Sequence, residues 1–447
     1  MRWNLDRFYK SEMSEQMWHK DLQVLSDLYK SADFDKAEEL ESYLWTYAYA
    51  KVSIDDNRSY WENNIFVLEN TLKDFYEEDD MDFKSCQIQD KVNQILSPLK
   101  NHDFGGLTSF QAATSTDSKI RNQYFNYANK FYETNKNQLS TLLLKWIEIQ
   151  KKEEIPSYYF KVRDKLVSKI SYFHELLEKQ VSMKSEGKLS WVDLNFNEES
   201  KLHEMNYDIG KNNIIHLMKD LNPEWSETIQ YLFDSGCVEA SCKKTKEKKA
   251  FTMPVSYNKD PLCFIHSVTN RASFFGLTHE LAHGLHFYKY KETNRNYILP
   301  DTSVLEIFPT SVDLYTSYRL EGQSGFSQRV ISTVLFQFAI TEFIFKLIDN
   351  APDHPDYIQE IWMDVCKFTF GDYLEENNYL WCGNRLVWSH INEGMCYVFG
   401  GVLALELFEI LKNGSVSSME RINSVLSLPA GADIEDWNKI LSFVKWD

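Results

Sequence analysis

Ten residues from Thr278 to Phe287, THELAHGLHF, satisfy two periodicities at once and leave little choice of local structure. Leu277, Leu281 and Leu285 recur every four residues, and so do His279 and His283. On a helix from Ser273 to Tyr290 the leucines make one core-facing stripe, and the two imidazoles stand about 40° apart on the far side. That spacing lets both imidazoles converge on one ion. Glu280, one step on, points at a substrate or water beside it, which is the mechanical reason for the H-E-x-x-H spacing.

Such a pair needs a third ligand, and the acids downstream are Glu292, Asp301, Glu306 and Asp313. In SVLEIFPTSVDLYTS a helix would place Glu306, Thr310 and Asp313 on one face. Glu306 lies 27 residues after His279, enough for a loop and a return helix. Two accounts of Glu306 compete: a metal ligand, or the acid of a Ser303-x-x-Glu306 capping box, which would set Pro309 awkwardly inside the helix. Asp313 would orient a ligand imidazole from one layer out or be a solvated acid. His286 faces the same way as His279 but about 10 Å further along the axis, and reads as a supporting or structural residue.

The rest of the chain supports a mainly α fold. Its 16 glycines and 10 prolines in 447 residues are about half the ordinary usage. Asn137 to Lys151, Val162 to Gln180 and Gly401 to Lys412 carry helical spacing and no proline. The best strand signal is PLCFIHS, Pro261 to Ser267, just upstream of the histidine helix. Val330 to Phe345 is apolar but interrupted by Gln337 and Glu342, so it reads as a buried helix rather than a membrane span. The polar stretch from Asn195 to Ser200 is the natural lobe boundary, giving an N-terminal helical lobe over residues 1–195 and a catalytic lobe over 196–447.

With 48 basic and 66 acidic residues the net charge is −18, which disfavours a nucleic-acid partner. Lys243 to Lys249, KKTKEKK, runs against that trend as a solvated loop or a basic flap for a peptide carboxylate. Seven scattered cysteines without a C-x-x-C pair, and an N-terminus lacking a secretory signal, lead to the expectation of reduced thiols in the cytoplasm.

Laid out in order, WNLDRFY (Trp3 to Tyr9), LWTYAYAKVSIDD, KLSWVDL (Lys188 to Leu194), PLCFIHS, THELAHGLHF, LEIFPTSVD and FQFAITEF resemble the oligoendopeptidase F family of zinc peptidases, relatives of thimet oligopeptidase. The resemblance spans nearly the whole chain. It implies a two-lobed helical zincin-type body with a small β-element beside the active-site helix and a deep channel for unfolded oligopeptides. It implies one zinc held by His279, His283 and Glu306, Glu280 as general base, and Asp313 as a supporting carboxylate. His390 and Tyr397, in SHINEGMCYVFGG, take the places of the family's substrate- and oxyanion-binding histidine and tyrosine, but Phe399 and Gly401 stand where further tyrosines are expected. Ala282 replaces a usual glycine, and KKAFTMP replaces a Gly-rich stretch before the strand. The implied activity is endopeptidase cleavage of oligopeptides. The rivals are a metallocarboxypeptidase of related fold, for which KKTKEKK would hold the terminal carboxylate, and a zinc-containing peptide binder weakened by the thinned tyrosine set.

Overall fold

The computed structural model describes most residues between Trp3 and Leu441, the main exceptions being 11–13, 55–57, 76–79, 183–187, 192–204, 241–249, 256–258, 294–300, 351–353, 375–378 and His390. The chain is mainly helical, with one small three-stranded sheet among the described residues. It divides into two compact units, each gathered from separate stretches: Met1–Glu78, Glu204–Asp301 and Glu409–Val444 in one, and Asp79–His203, Thr302–Phe408 and Lys445–Asp447 in the other. The boundary expected at residues 195 and 196 lies outside the described residues, as does the basic segment Lys243 to Lys249.

In the first unit, the helices Ser14–Lys30, Phe34–Ile54 and Arg58–Lys73 pool their apolar faces. Trp18, Tyr47 and Trp61 are almost fully buried in that core, which extends to Leu262 and Phe264 of the sheet. The strands are β1 (Val238–Glu239), β2 (Ala250–Met253) and β3 (Leu262–Ile265), in the spatial order β1-β3-β2. β1 runs parallel to β3, and β2 runs antiparallel to it with Thr252 opposite Cys263. Trp3 ties the N-terminal segment to this sheet. Its indole Nε1 donates to the carbonyls of Cys237 and Cys263, and its backbone N–H donates to Glu239 Oε2 at 3.0 Å. β3 falls within the expected Pro261 to Ser267 and leads into the helix Arg271–Thr293, which contains all of THELAHGLHF.

The second unit centres on long helices. Asn137 to Lys151 is the end of a 33-residue helix, Ser118–Gln150, started by the Asp117 carboxylate accepting from Lys119 N–H. Val162 to Gln180 differs from expectation: it is two helices, Ser157–Ser168 and Ile170–Ser182, meeting at Lys169. Val162, Leu166, Phe173, Leu176 and Leu177 are all buried on both sides of that break, so a one-residue turn leaves no mark on the apolar pattern. Val330 to Phe345 is buried as expected, but opens with a π-helical segment, Val330–Leu335, before an α-helix, Phe336–Asn350. The stretches Ser303–Asn350 and Glu393–Asn413 are long and apolar enough to cross a bilayer, yet their apolar windows are 67% and 78% buried within the protein.

The helix Ile307–Arg329 is kinked at Gly322, whose φ of 69° and ψ of −160° lie in a region essentially restricted to glycine. Gly322→Ala is therefore expected to destabilise the protein by about 1–3 kcal/mol. The urea unfolding midpoint measures it, and an unchanged midpoint would show that the kink can relax.

Candidate metal centre

Helix Arg271–Thr293 lies close against β3 because two of its residues have no side chain. A Cβ on Gly284 would stand 2.6 Å from Cys263 Sγ, and one on Gly276 would stand 2.9 Å from Ile265 Cδ1. Gly276, Glu280 and Gly284 are spaced by four, so Glu280 is carried on this sheet-facing side. It is 7% exposed, and its Oε2 accepts a hydrogen bond from Thr252 Oγ1 at 2.8 Å. One residue back in phase, the His279 and His283 rings lie 4.9 Å apart with their planes at 80°. Leu277, Leu281 and Leu285 are fully buried, the stripe that the spacing requires.

Glu306 occupies the turn between Thr302–Leu305 and Ile307–Arg329, and its side chain makes no N-cap hydrogen bond to the second of these helices. Pro309 falls in the first turn of the following helix, where its missing N–H leaves no bond unmade. One ligand atom from each of His279, His283 and Glu306 lies within 4.8 Å of the others, the one such group among the described residues.

Two imidazole nitrogens and a carboxylate oxygen are the donor set of a catalytic zinc site with an open fourth position. Donors at zinc bond lengths of about 2.0–2.2 Å in a tetrahedral arrangement stand roughly 3.3–3.6 Å apart. In donor chemistry the three residues fit the ion.

Asp301 is not part of this group, and the Glu292 side chain lies outside the described residues. Asp313 is buried and accepts from Arg329 Nη2 at 2.6 Å, a charge-assisted bond that holds it in place. His286 is 1% exposed and lies 5.7 Å from the Trp437 ring. Burial, with the nearby His283 charge, pushes its imidazole down to about 3. It is a neutral packing residue.

The helix Ile391–Asn413 explains the missing tyrosines. A Cβ on Gly400 would stand 2.5 Å from Glu306 Cβ and 3.0 Å from its carbonyl oxygen, so the side of the helix bearing Glu393, Tyr397 and Gly400 faces Glu306. Burial raises the Tyr397 phenol well above its ordinary range, the Glu306 charge adds to this, and Arg385 opposes it. Tyr397 therefore stays an O–H donor through neutral pH. Phe399 is 1% exposed and meets the Tyr159 ring edge-on, 5.9 Å away. A Cβ on Gly401 would lie 3.1 Å from Val334 Cγ1. Positions 399 and 401 are thus packing positions. His390 lies outside the described residues.

Three neighbours of these groups were not legible in the sequence. Thr252 reaches Glu280 only because of the β2–β3 register. Arg385, on the 3₁₀ turn Arg385–Trp388, is ion-paired with Glu393. Gly400 is a spacer against Glu306, and the one available signal was the Gly400-Gly401 pair inside an apolar helix.

No protein-family model matches the chain, and no curated protein matches it by sequence. Solved structures do match its fold. PZ peptidase A with an inhibitor is 13% identical, with 98% of this chain and 88% of that chain covered at a TM-score of 0.66. A Bacillus anthracis protein provisionally described as oligoendopeptidase F is 12% identical, with 96% and 93% covered at a TM-score of 0.65. Oligoendopeptidase-F from Enterococcus faecium is 14% identical, with 98% and 93% covered at a TM-score of 0.51. The chain has the helical fold of these peptidases over nearly its whole length.

Proposed function

We propose that this protein is a zinc metalloendopeptidase acting on short unfolded peptides. The observation that carries the reading is the convergence of His279, His283 and Glu306 beside a buried Glu280. Zinc, when bound by these three side chains, supplies Lewis-acid polarisation of a carbonyl and lowers the pKa of water toward neutrality. Glu280 accepts the proton of the attacking water and delivers it to the leaving amine. Tyr397 donates its phenolic hydrogen to the developing oxyanion. Asp313, held by Arg329, takes the place of the supporting carboxylate that the resemblance implies. The edge position of β2 in the sheet favours an extended substrate, because an outer strand can pair with a peptide main chain whatever its side chains.

Hydrolysis of an unbiased peptide mixture, with products identified by mass spectrometry, tests the reading. Internal cleavages that disappear on chelation and return with zinc are expected. Release of single C-terminal residues would instead make it a carboxypeptidase, and no zinc-dependent cleavage would leave a binding protein. Tyr397→Phe should lower kcat by about 10²–10³, the usual effect of deleting one oxyanion donor. An unchanged kcat would remove Tyr397 from the reaction.

A further inference from the structure

The proton acceptor of the proposed reaction is itself held by a strand residue. Thr252 lies in β2, opposite Cys263 of β3, and presents its hydroxyl to helix Arg271–Thr293. Its Oγ1 is 2.8 Å from Glu280 Oε2 and 2.8 Å from the Glu280 backbone carbonyl oxygen. The Cys263 side chain also lies within hydrogen-bond reach of this hydroxyl, which has one proton, so its acceptors compete for it. The carboxylate, being charged, forms the stronger bond.

Two features tip the competition further. The Glu280 carbonyl belongs to a helix interior, where the N–H four residues on already satisfies it. It is also 3.5 Å from Cys263 Sγ, which donates to it from below. The Cys263 thiol is completely buried, and burial keeps it in the protonated, donating form. The helix carbonyl is therefore served without Thr252.

We propose that Thr252 is the positioning residue of the general base: its hydroxyl holds Glu280 Oε2 and so restricts the orientation of the carboxylate. The close approach permitted by Gly276 and Gly284 makes this contact possible, since a wider gap between helix and sheet would put Oγ1 out of reach. Thr252 acts through Glu280 and does not touch the reacting atoms. Because β2 is also the outer strand, the residue that orients the base belongs to the segment on which an extended substrate would lie.

This inference rests on Glu280 being the base, and the test separates the two. Thr252→Val keeps the shape and removes the hydroxyl, whereas Thr252→Ser keeps the hydroxyl. On the zinc-loaded protein, Thr252→Val should lower kcat about tenfold with KM and zinc content unchanged, and Thr252→Ser should restore most of the loss. A second readout needs no metal. In the metal-free protein, the unfolding midpoints of Thr252→Val, Glu280→Ala and the double variant should fail to add by roughly 1–2 °C, as expected for a broken direct contact. An unchanged kcat in Thr252→Val, or additive midpoints, overturns the positioning role even if Glu280→Gln is inactive. Full activity of Glu280→Gln would instead overturn the catalytic reading on which it rests. A fall in both Thr252 variants alike would show that β2 packing, not the hydroxyl, is at work, and would also overturn it.

Discussion

Glu280→Gln is expected to lower kcat on internally quenched peptides by about 10³-fold or more while leaving zinc content at one ion per chain. Glutamine has nearly the same shape and still offers an amide oxygen to the Thr252 hydroxyl, so the buried contact survives the substitution. What it loses is the ability to take a proton from water at neutral pH, and general-base assistance is worth about 10²–10⁴. Glu280 lies outside the three-ligand group, which is why metal content should not change. Metal analysis and kcat measured on the same preparation decide the matter. Turnover near the wild-type rate would assign proton transfer to another residue.

Glu306→Ala should weaken zinc binding by more than about 100-fold and abolish turnover at ordinary zinc levels. The lower bound follows from supporting partners alone, whose loss already costs 10–100-fold in metal affinity. The substitution is mild for the fold. The Glu306 side chain does not cap helix Ile307–Arg329, and alanine keeps the Cβ against which Gly400 packs. Competition with a chromophoric chelator gives the affinity, and the thermal midpoint of the metal-free protein controls for folding. If zinc binding is unaffected, another carboxylate is the third ligand. Asp313, already paired with Arg329, would then be the next candidate to test.

The thin tyrosine set has a packing explanation. Helix Ile391–Asn413 approaches Glu306 and Val334 so closely that glycine occupies 400 and 401, and Phe399 turns into the core against Tyr159. Tyr397 alone, within the described part of SHINEGMCYVFGG, keeps a phenol on the side facing Glu306. The spacing between expected and observed tyrosines is visible in the sequence. The reason for it is not, because it depends on Tyr159, Glu306 and Val334, on separate elements far upstream.

Local order was readable wherever it repeats along the chain. The leucine stripe and the histidine pair of Thr278 to Phe287 both follow from a turn of about 3.6 residues, and that geometry holds whatever surrounds the helix. The strand Leu262–Ile265 showed as a short apolar run, whereas β1 has two residues and β2 mixes exposed and half-covered positions, so neither announces itself. The break at Lys169 and the π-helical turn at Val330–Leu335 were invisible because neither disturbs the apolar pattern.

The sequence alone, then, determined the His279–His283 helix, with Glu280 between the pair, and the predominantly helical body, since each is written in spacings of a few residues. Only the tertiary structure showed why positions 399 and 401 carry no phenol and which residue contacts Glu280, and it brought Glu306, the acid that the resemblance implied, near the two histidines. Those outcomes depend on contacts between segments far apart in the chain, where a difference of one residue in register or one Cβ in packing changes the neighbour.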